Sequence, residues 1–200
     1  LHLREDRRHI QEHDVTVIKD IMQTHMNLEM AVTDEMLEFA IRVSPENCCL
    51  VPERREELTT EGGLDVIGQE ARITEACQRL ADAGCIVSLF IDADLSQIDA
   101  AVRTGAPAIE IHTGHYADAE NEEQRQKEFQ KILKAVEHGN NAGIQINAGH
   151  GLNYHNVERI AAIKTIRELN IGHAIIARAV FTGLQESVKE MKKLMKDARK

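Results

Sequence analysis

Short apolar runs separated by longer amphipathic stretches recur along all 200 residues, and this alternation restricts the chain to a small set of folds. The runs NLEMAV (27–32), NCCLVP (47–52), CIVSLFID (85–92), PAIEIHTG (107–114), IQINAGHG (144–151) and LNIGHA (169–174) read as strands. Several are apolar for four or more residues in succession, as strands covered on both faces are. Helical spacing lies between them. Val15, Ile18 and Met22 mark one helix face, Phe129, Ile132, Leu133 and Val136 a second, and Val188, Met191, Leu194 and Met195 a third. Asp34, Asp94 and Asn153 stand where helix caps belong.

Strand followed by helix, repeated, calls for a parallel sheet with helical crossovers, either doubly wound or closed into a barrel. With the LHL stub at residues 1–3 the strands number seven. A complete eightfold barrel takes about 250 residues. The expected architecture is therefore an α/β (β/α)8 barrel lacking its first strand and helix. No Pro- or Gly-rich linker divides the sequence, so residues 1–200 are expected to form one domain.

A hydrophobic content of 42% supplies a substantial core, while the formal net charge of −9 argues against nucleic acid or an acidic membrane as partner. No apolar run approaches the roughly 18 residues of a membrane span. Cys48, Cys49, Cys77 and Cys85 lack metal-ligand spacing and read as buried, reduced thiols of a cytoplasmic protein. With 3% aromatic residues and no Trp, stacking platforms for sugars or single-stranded nucleic acid are disfavoured.

Barrel chemistry sits at the C-terminal ends of strands. There the chain places His2 and Arg4, Glu29, Asp92, Glu110 and His112, His150, and His173, with Thr59 and Thr60 in the long loop PERREELTTEGGLD. A lone His or Glu at a strand end is most often a hydrogen-bonded rim residue. Glu29 and Glu110 differ, because each has apolar neighbours on both sides: Leu28 and Met30, Ile109 and Ile111. Desolvation should raise the pKa of both towards the range of a general base.

Two places suggest phosphate. Gly172 and His173 end the last expected strand, and a helix starting there would aim free N–H groups at an anion. Gly149 and Gly151 in AGHG would permit close backbone approach, although tight turns alone would also explain them. Arg4 and His9 are placed to hold a second phosphate, while Arg7 and Arg8 read as solvated. Metal binding competes weakly. HTGH (112–115) and HGLNYH (150–155) are not HExxH, and no carboxylate–His pair has zinc spacing.

The stretches LHLREDRRHI, MNLEMA, CCLVPE, TTEGGLD, SLFIDAD, IEIHTG, NAGHGL, YHN and LNIGHAII together resemble the pyridoxine 5′-phosphate synthase family over essentially the whole chain. The resemblance implies a transferase-class enzyme of vitamin B6 biosynthesis. It would close a ring between 1-deoxy-D-xylulose 5-phosphate and 3-amino-2-oxopropyl phosphate, releasing pyridoxine 5′-phosphate, inorganic phosphate and water. It implies a homo-octamer and no metal or organic cofactor. By motif, His2 and Glu29 would be proton acceptors, His150 the proton donor, and Glu110 a group stabilising the transition state. Arg4, His9 and Thr59 would hold deoxyxylulose phosphate, and Gly151, Gly172 and His173 the phosphate of the aminoketone. Gly62 and Gly63 would hinge a lid over the site. Two other readings stay open: a phosphosugar isomerase or epimerase with Glu29 and His150 as its proton-shuttling pair, and an inactive, truncated barrel.

Overall fold

In the computed structural model, which describes residues 1–53 and 61–200, six parallel strands lie side by side in chain order. They are β1 (Asn27–Met30), β2 (Asn47–Leu50), β3 (Ile86–Ile91), β4 (Ala108–His112), β5 (Gln145–Gly149) and β6 (Ile166–Asn170). An order that never reverses belongs to a barrel wall; a doubly wound sheet changes direction at its switch point. The sheet is a curled half-barrel, so the eightfold expectation is met in part: the described residues do not form a closed eight-stranded barrel. The LHL stub contributes one parallel bridge, His2 to Glu29. Glu29 N–H donates to the Leu1 carbonyl at 2.7 Å and Leu3 N–H to the Glu29 carbonyl at 3.2 Å.

Alternation along the strands sorts the sheet into two faces. Leu28, Met30, Cys48, Leu50, Val87, Leu89, Ile91, Ile109, Ile111, Ile146 and Ile166 join one core cluster with the apolar stripes of the helices. These helices include α1 (Glu12–Ile21), α2 (Asp34–Val43), α3 (Glu70–Asp82), α4 (Leu95–Arg103) and α6 (Glu122–Asn141). The intervening residues, Glu29, Cys49, Ser88, Phe90, Glu110, His112, Asn147 and Gly149, occupy the other face, where Cys49, Val51 and Phe90 form a small apolar cluster among the described residues. One face is thus built for packing and the other for chemistry.

Local details differ from expectation in four places, the first at Asn153: the helix that follows it, Val157–Ala161, starts after Asn156, and Asn153 Oδ1 accepts the His155 N–H at 2.8 Å ahead of it. The cap of α2 is Thr33, whose hydroxyl accepts the Met36 N–H at 3.3 Å; Asp34 inside the first turn instead pairs with Arg72 and Arg79. Asp94 does cap α4, accepting from Ser96 and Gln97. The last strand ends at Asn170 rather than running through Gly172 and His173, which open α8 (His173–Thr182). Arg7 is not solvated: its side chain is 15% exposed and bonds to Glu12 at 2.7 Å and Glu35 at 2.6 Å. The short α5 (Gly114–Ala117) and α7 (Val157–Ala161), and α9 (Leu184–Asp197), complete the order. All four cysteines are buried and free. None of the described helices is long and apolar enough to cross a membrane.

Candidate active site

The polar face opens into a cavity of about 950 Å³. Of the ten residues expected in the site, His2, Arg4, His9, Glu29, Glu110, His150, Gly151, Gly172 and His173 line it. Thr59 lies outside the described residues, as do the others from 54 to 60 in its loop. The returning arm of that loop is tied down: Leu64 N–H donates to the Phe90 carbonyl at 2.7 Å, and Gly63 lies so close that a Cβ would meet the Asp92 backbone nitrogen.

Glu110 and Glu29 share a sequence context but not an environment. Glu110, in the middle of the sheet, is 3% exposed; Asn170 Nδ2 donates to its Oε2 at 2.5 Å and the Cys49 thiol to the same oxygen at 3.6 Å. Burial, reinforced by the Glu29 charge and opposed by these two hydrogen bonds, pushes the Glu110 carboxyl up to about 8. It is therefore a neutral acid near pH 7. The Glu29 side chain is 31% exposed and does not share the burial of Glu110.

The raised Glu110 pKa is also a statement about stability. Between its ordinary value of 4.5 and about 8, the folded chain holds a proton at Glu110 that the unfolded chain has released. Its contribution is complete below 4.5 and is lost as pH rises through about 8, with a slope of at most about 1.4 kcal/mol per pH unit. Denaturant melts at pH 5 and pH 8.5 should therefore show Glu110→Gln losing less stability with rising pH than the parent chain. Parallel losses would contradict a buried, protonated Glu110.

His2 stands opposite. Its Nε2 lies 2.9 Å from Glu53 Oε1, and its Nδ1 3.8 Å from Glu29 Oε2. The second Glu53 oxygen accepts the Glu5 N–H at 2.9 Å. Burial works to raise the Glu53 carboxyl, but the bonds from His2 and Glu5 and the nearby Arg4 leave it below its ordinary value. An ionised Glu53 fixes the orientation of the His2 ring, with Nδ1 turned towards Glu29. Reading the sequence for polar strand ends misses Glu53, and also Asn170. Their neighbours in CCLVPE and RELNIG carry no local signal, because each finds its partner 51 or 60 residues away.

His150 follows β5 with a positive φ of 74°, unusual for a residue other than Gly. The Thr113 hydroxyl holds this turn by donating to the carbonyls of Gly149 at 2.8 Å and His150 at 2.6 Å. Burial, with smaller contributions from His112 and His173 and against the pull of Asp118, holds the His150 imidazole below its ordinary pKa. Gly151, at φ 77°, has no room for a Cβ against Ala117. Beyond it, Gly172 caps α8 without any side-chain bond, and it lines the cavity beside His173. Gly149 owes its identity to another cause than phosphate: a Cβ there would lie 2.1 Å from Glu110 Oε1.

Among the described residues, Asp92, His112 and His115 could offer a metal three donor atoms within 4.8 Å of one another. His112 Nδ1 already bonds Asp92 Oδ1 at 2.9 Å, and Asp92 and His115 are exposed by 44% and 68%. A satisfied pair and a surface imidazole do not make the enclosed donor set of a resident ion.

The family model described as "Pyridoxal phosphate biosynthesis protein PdxJ" matches residues 1–197. Pyridoxine 5′-phosphate synthase of Photobacterium profundum is 60% identical over 200 residues, covering 100% of this chain and 82% of that relative. The enzyme of the same name from Colwellia psychrerythraea is 61% identical over 199 residues, covering 100% and 81%. Two solved structures are similar in fold alone. The Amycolatopsis orientalis BexX/CysO complex has a TM-score of 0.52 at 15% identity over 86% of this chain and 66% of the other. A xylose isomerase domain protein from Planctomyces limnophilus has 0.50 at 12% identity over 86% and 72%. Such a match over nearly every residue, on a barrel-wall sheet with its acids and bases on one face, shows that this chain belongs to the PdxJ family.

Proposed function

We propose that the cavity carries out the pyridoxine 5′-phosphate synthase reaction, condensing 1-deoxy-D-xylulose 5-phosphate with 3-amino-2-oxopropyl phosphate. The observation that carries this reading is the gathering of four titratable side chains, His2, Glu29, Glu110 and His150, in one cavity that Arg4, His9, Gly151, Gly172 and His173 also line. Ring closure asks for such a set. The amine joins a ketone, water leaves more than once and phosphate leaves once, and each step moves a proton to or from carbon, oxygen or nitrogen. His2, its ring oriented by Glu53, and Glu29 act as bases. His150, neutral until it borrows a proton, returns one to a leaving oxygen. Glu110, protonated near pH 7, donates a hydrogen bond to charge that develops on the intermediate.

Arg4, His9 and Thr59 hold one substrate phosphate, and Gly151, Gly172 and His173 the other. Anchoring both ends fixes the reacting carbons relative to one another and removes the entropy loss of a solution encounter. No metal or organic cofactor has a part in this scheme. Supplying both substrates and measuring phosphate release together with pyridoxine 5′-phosphate tests the reading; absence of both products would overturn it. Turnover of a phosphosugar alone would favour an isomerase. Inorganic phosphate should bind the parent chain and bind at least tenfold more weakly to His173→Ala, since one charge-assisted contact is worth about 1.5–3 kcal/mol. Equal affinities would remove His173 from the phosphate site.

The reading extends to a closed (β/α)8 barrel, of which the six strands and the Leu1–Leu3 segment supply seven positions. It also extends to a homo-octamer. In support, α8 has no buried residue and exposes Ile176, Val180 and Phe181 by 60%, 79% and 88%, an apolar face that a neighbouring element or second copy would cover. Four free thiols suit the reducing cytoplasm.

A further inference from the structure

We infer that Asp92 and His112 form a positioning pair for His150, and that the same pair ties the base of the Thr59 loop to the proton donor; the inference rests on His150 being that donor. His112 ends β4 two residues after Glu110, on the same face, but unlike Glu110 it does not line the cavity. It acts through its neighbour. Its ring centroid lies 5.1 Å from that of His150 at an interplanar angle of 58°, and Phe90 closes the cluster at 5.2 Å from His112 and 6.3 Å from His150.

Both ends of the His112 ring are fixed. Nδ1 bonds Asp92 Oδ1 at 2.9 Å. Nε2 faces Gly114, where a Cβ would come within 2.3 Å of it and 3.2 Å of His150 Cδ2. The two rings therefore share a seat that only glycine leaves open. The Asp92 carboxyl is held below its ordinary value, first by the His112 bond and, against burial, by the Gly63 N–H. An ionised Asp92 sets the His112 tautomer and plane. His115 is the other imidazole near this carboxylate, 4.0 Å away and largely exposed.

His150 needs this support because its backbone sits at φ 74° and Thr113 fixes only its carbonyl. The imidazole takes its direction from the wall it leans on. Asp92 also accepts from Gly63, so an ordered loop base and an ordered donor ring depend on one carboxylate.

The test compares Asp92→Asn, His112→Phe and His150→Asn with both phosphorylated substrates. Asp92→Asn should lower kcat about tenfold and His112→Phe up to about a hundredfold, the range that a misplacement of roughly 1 Å produces. KM for both substrates should stay within about twofold, because neither residue touches a phosphate. Thermal midpoints and the ring-nitrogen NMR signals of His150 provide readouts independent of turnover. In Asp92→Asn the His150 signals should shift while the midpoint holds. A kcat loss matched by a rise in KM and a fallen midpoint, with unshifted His150 signals, would make the pair merely structural and overturn the inference. Unchanged kcat in Asp92→Asn and His112→Phe, with His150→Asn inactive, would overturn it too and leave the donor assignment standing. An active His150→Asn would instead remove the donor assignment itself.

Discussion

Glu29→Gln is expected to bind both phosphorylated substrates about as well as the parent chain and to turn them over at least about a hundredfold more slowly, the usual cost of losing a general base. The substitution keeps the shape and removes the basic oxygen. Leu28 and Met30 on either side of Glu29 are fully buried against the helices, so the β1 backbone has no freedom to carry the side chain elsewhere. Nor does Glu29 meet a phosphate group in the proposed arrangement, which leaves KM little changed. A second consequence separates loss of a base from loss of a fold. The Glu29 charge is, after burial, the next cause of the raised Glu110 pKa. In Glu29→Gln the Glu110 carboxyl should therefore titrate at lower pH than in the parent, read from its side-chain carbon signal. Turnover within about threefold of the parent would show that the Glu29 carboxylate is structural.

How much of this is legible in the sequence depends on the length scale of the interaction. Strands β1 to β5 are visible because each is a compact apolar run bounded by polar or turn residues. The sixth is misplaced because LNIGHA is apolar across a boundary: Leu169 and Asn170 finish the strand, Ile171 connects, and Gly172 begins the cap of α8. Glu29 and Glu110 show the same limit in the site. Both interrupt apolar runs, but β4 has β3 and β5 on its flanks, whereas β1 has β2 on one side and a single bridge to His2 on the other. Burial of a strand residue is a property of its neighbours across the sheet, which spacing along one strand does not record. The same holds for Glu53 and Asn170, whose roles arise wholly from contacts across the fold. Recognisable motifs succeed where local physics stops, because a motif carries its partners with it.

Gly149→Ala should damage both the fold and the turnover of the chain. At this position φ is not positive, so the cost is not one of backbone conformation. A Cβ would lie 2.1 Å from Glu110 Oε1, 2.9 Å from the Asn170 carbonyl oxygen and 3.0 Å from Asn170 Cβ. None of these can yield cheaply. The Asn170 backbone is paired with Gly149 across β5 and β6, and moving it would open that ladder. The Glu110 carboxyl is held by Asn170 and Cys49, and shifting it breaks those bonds. Overpacking of this kind costs about 1–3 kcal/mol. Because the relief must come through Glu110, turnover should fall by about a hundredfold or more. Glu110→Asp offers the compensating space, since its shorter side chain withdraws the carboxyl from β5. In a double-mutant cycle measured by denaturant unfolding, Glu110→Asp should cost less in the Gly149→Ala background than alone, a coupling of about 1 kcal/mol or more. Additive losses would mean that the methyl is accommodated elsewhere, and that Gly149 does not set the position of the buried acid.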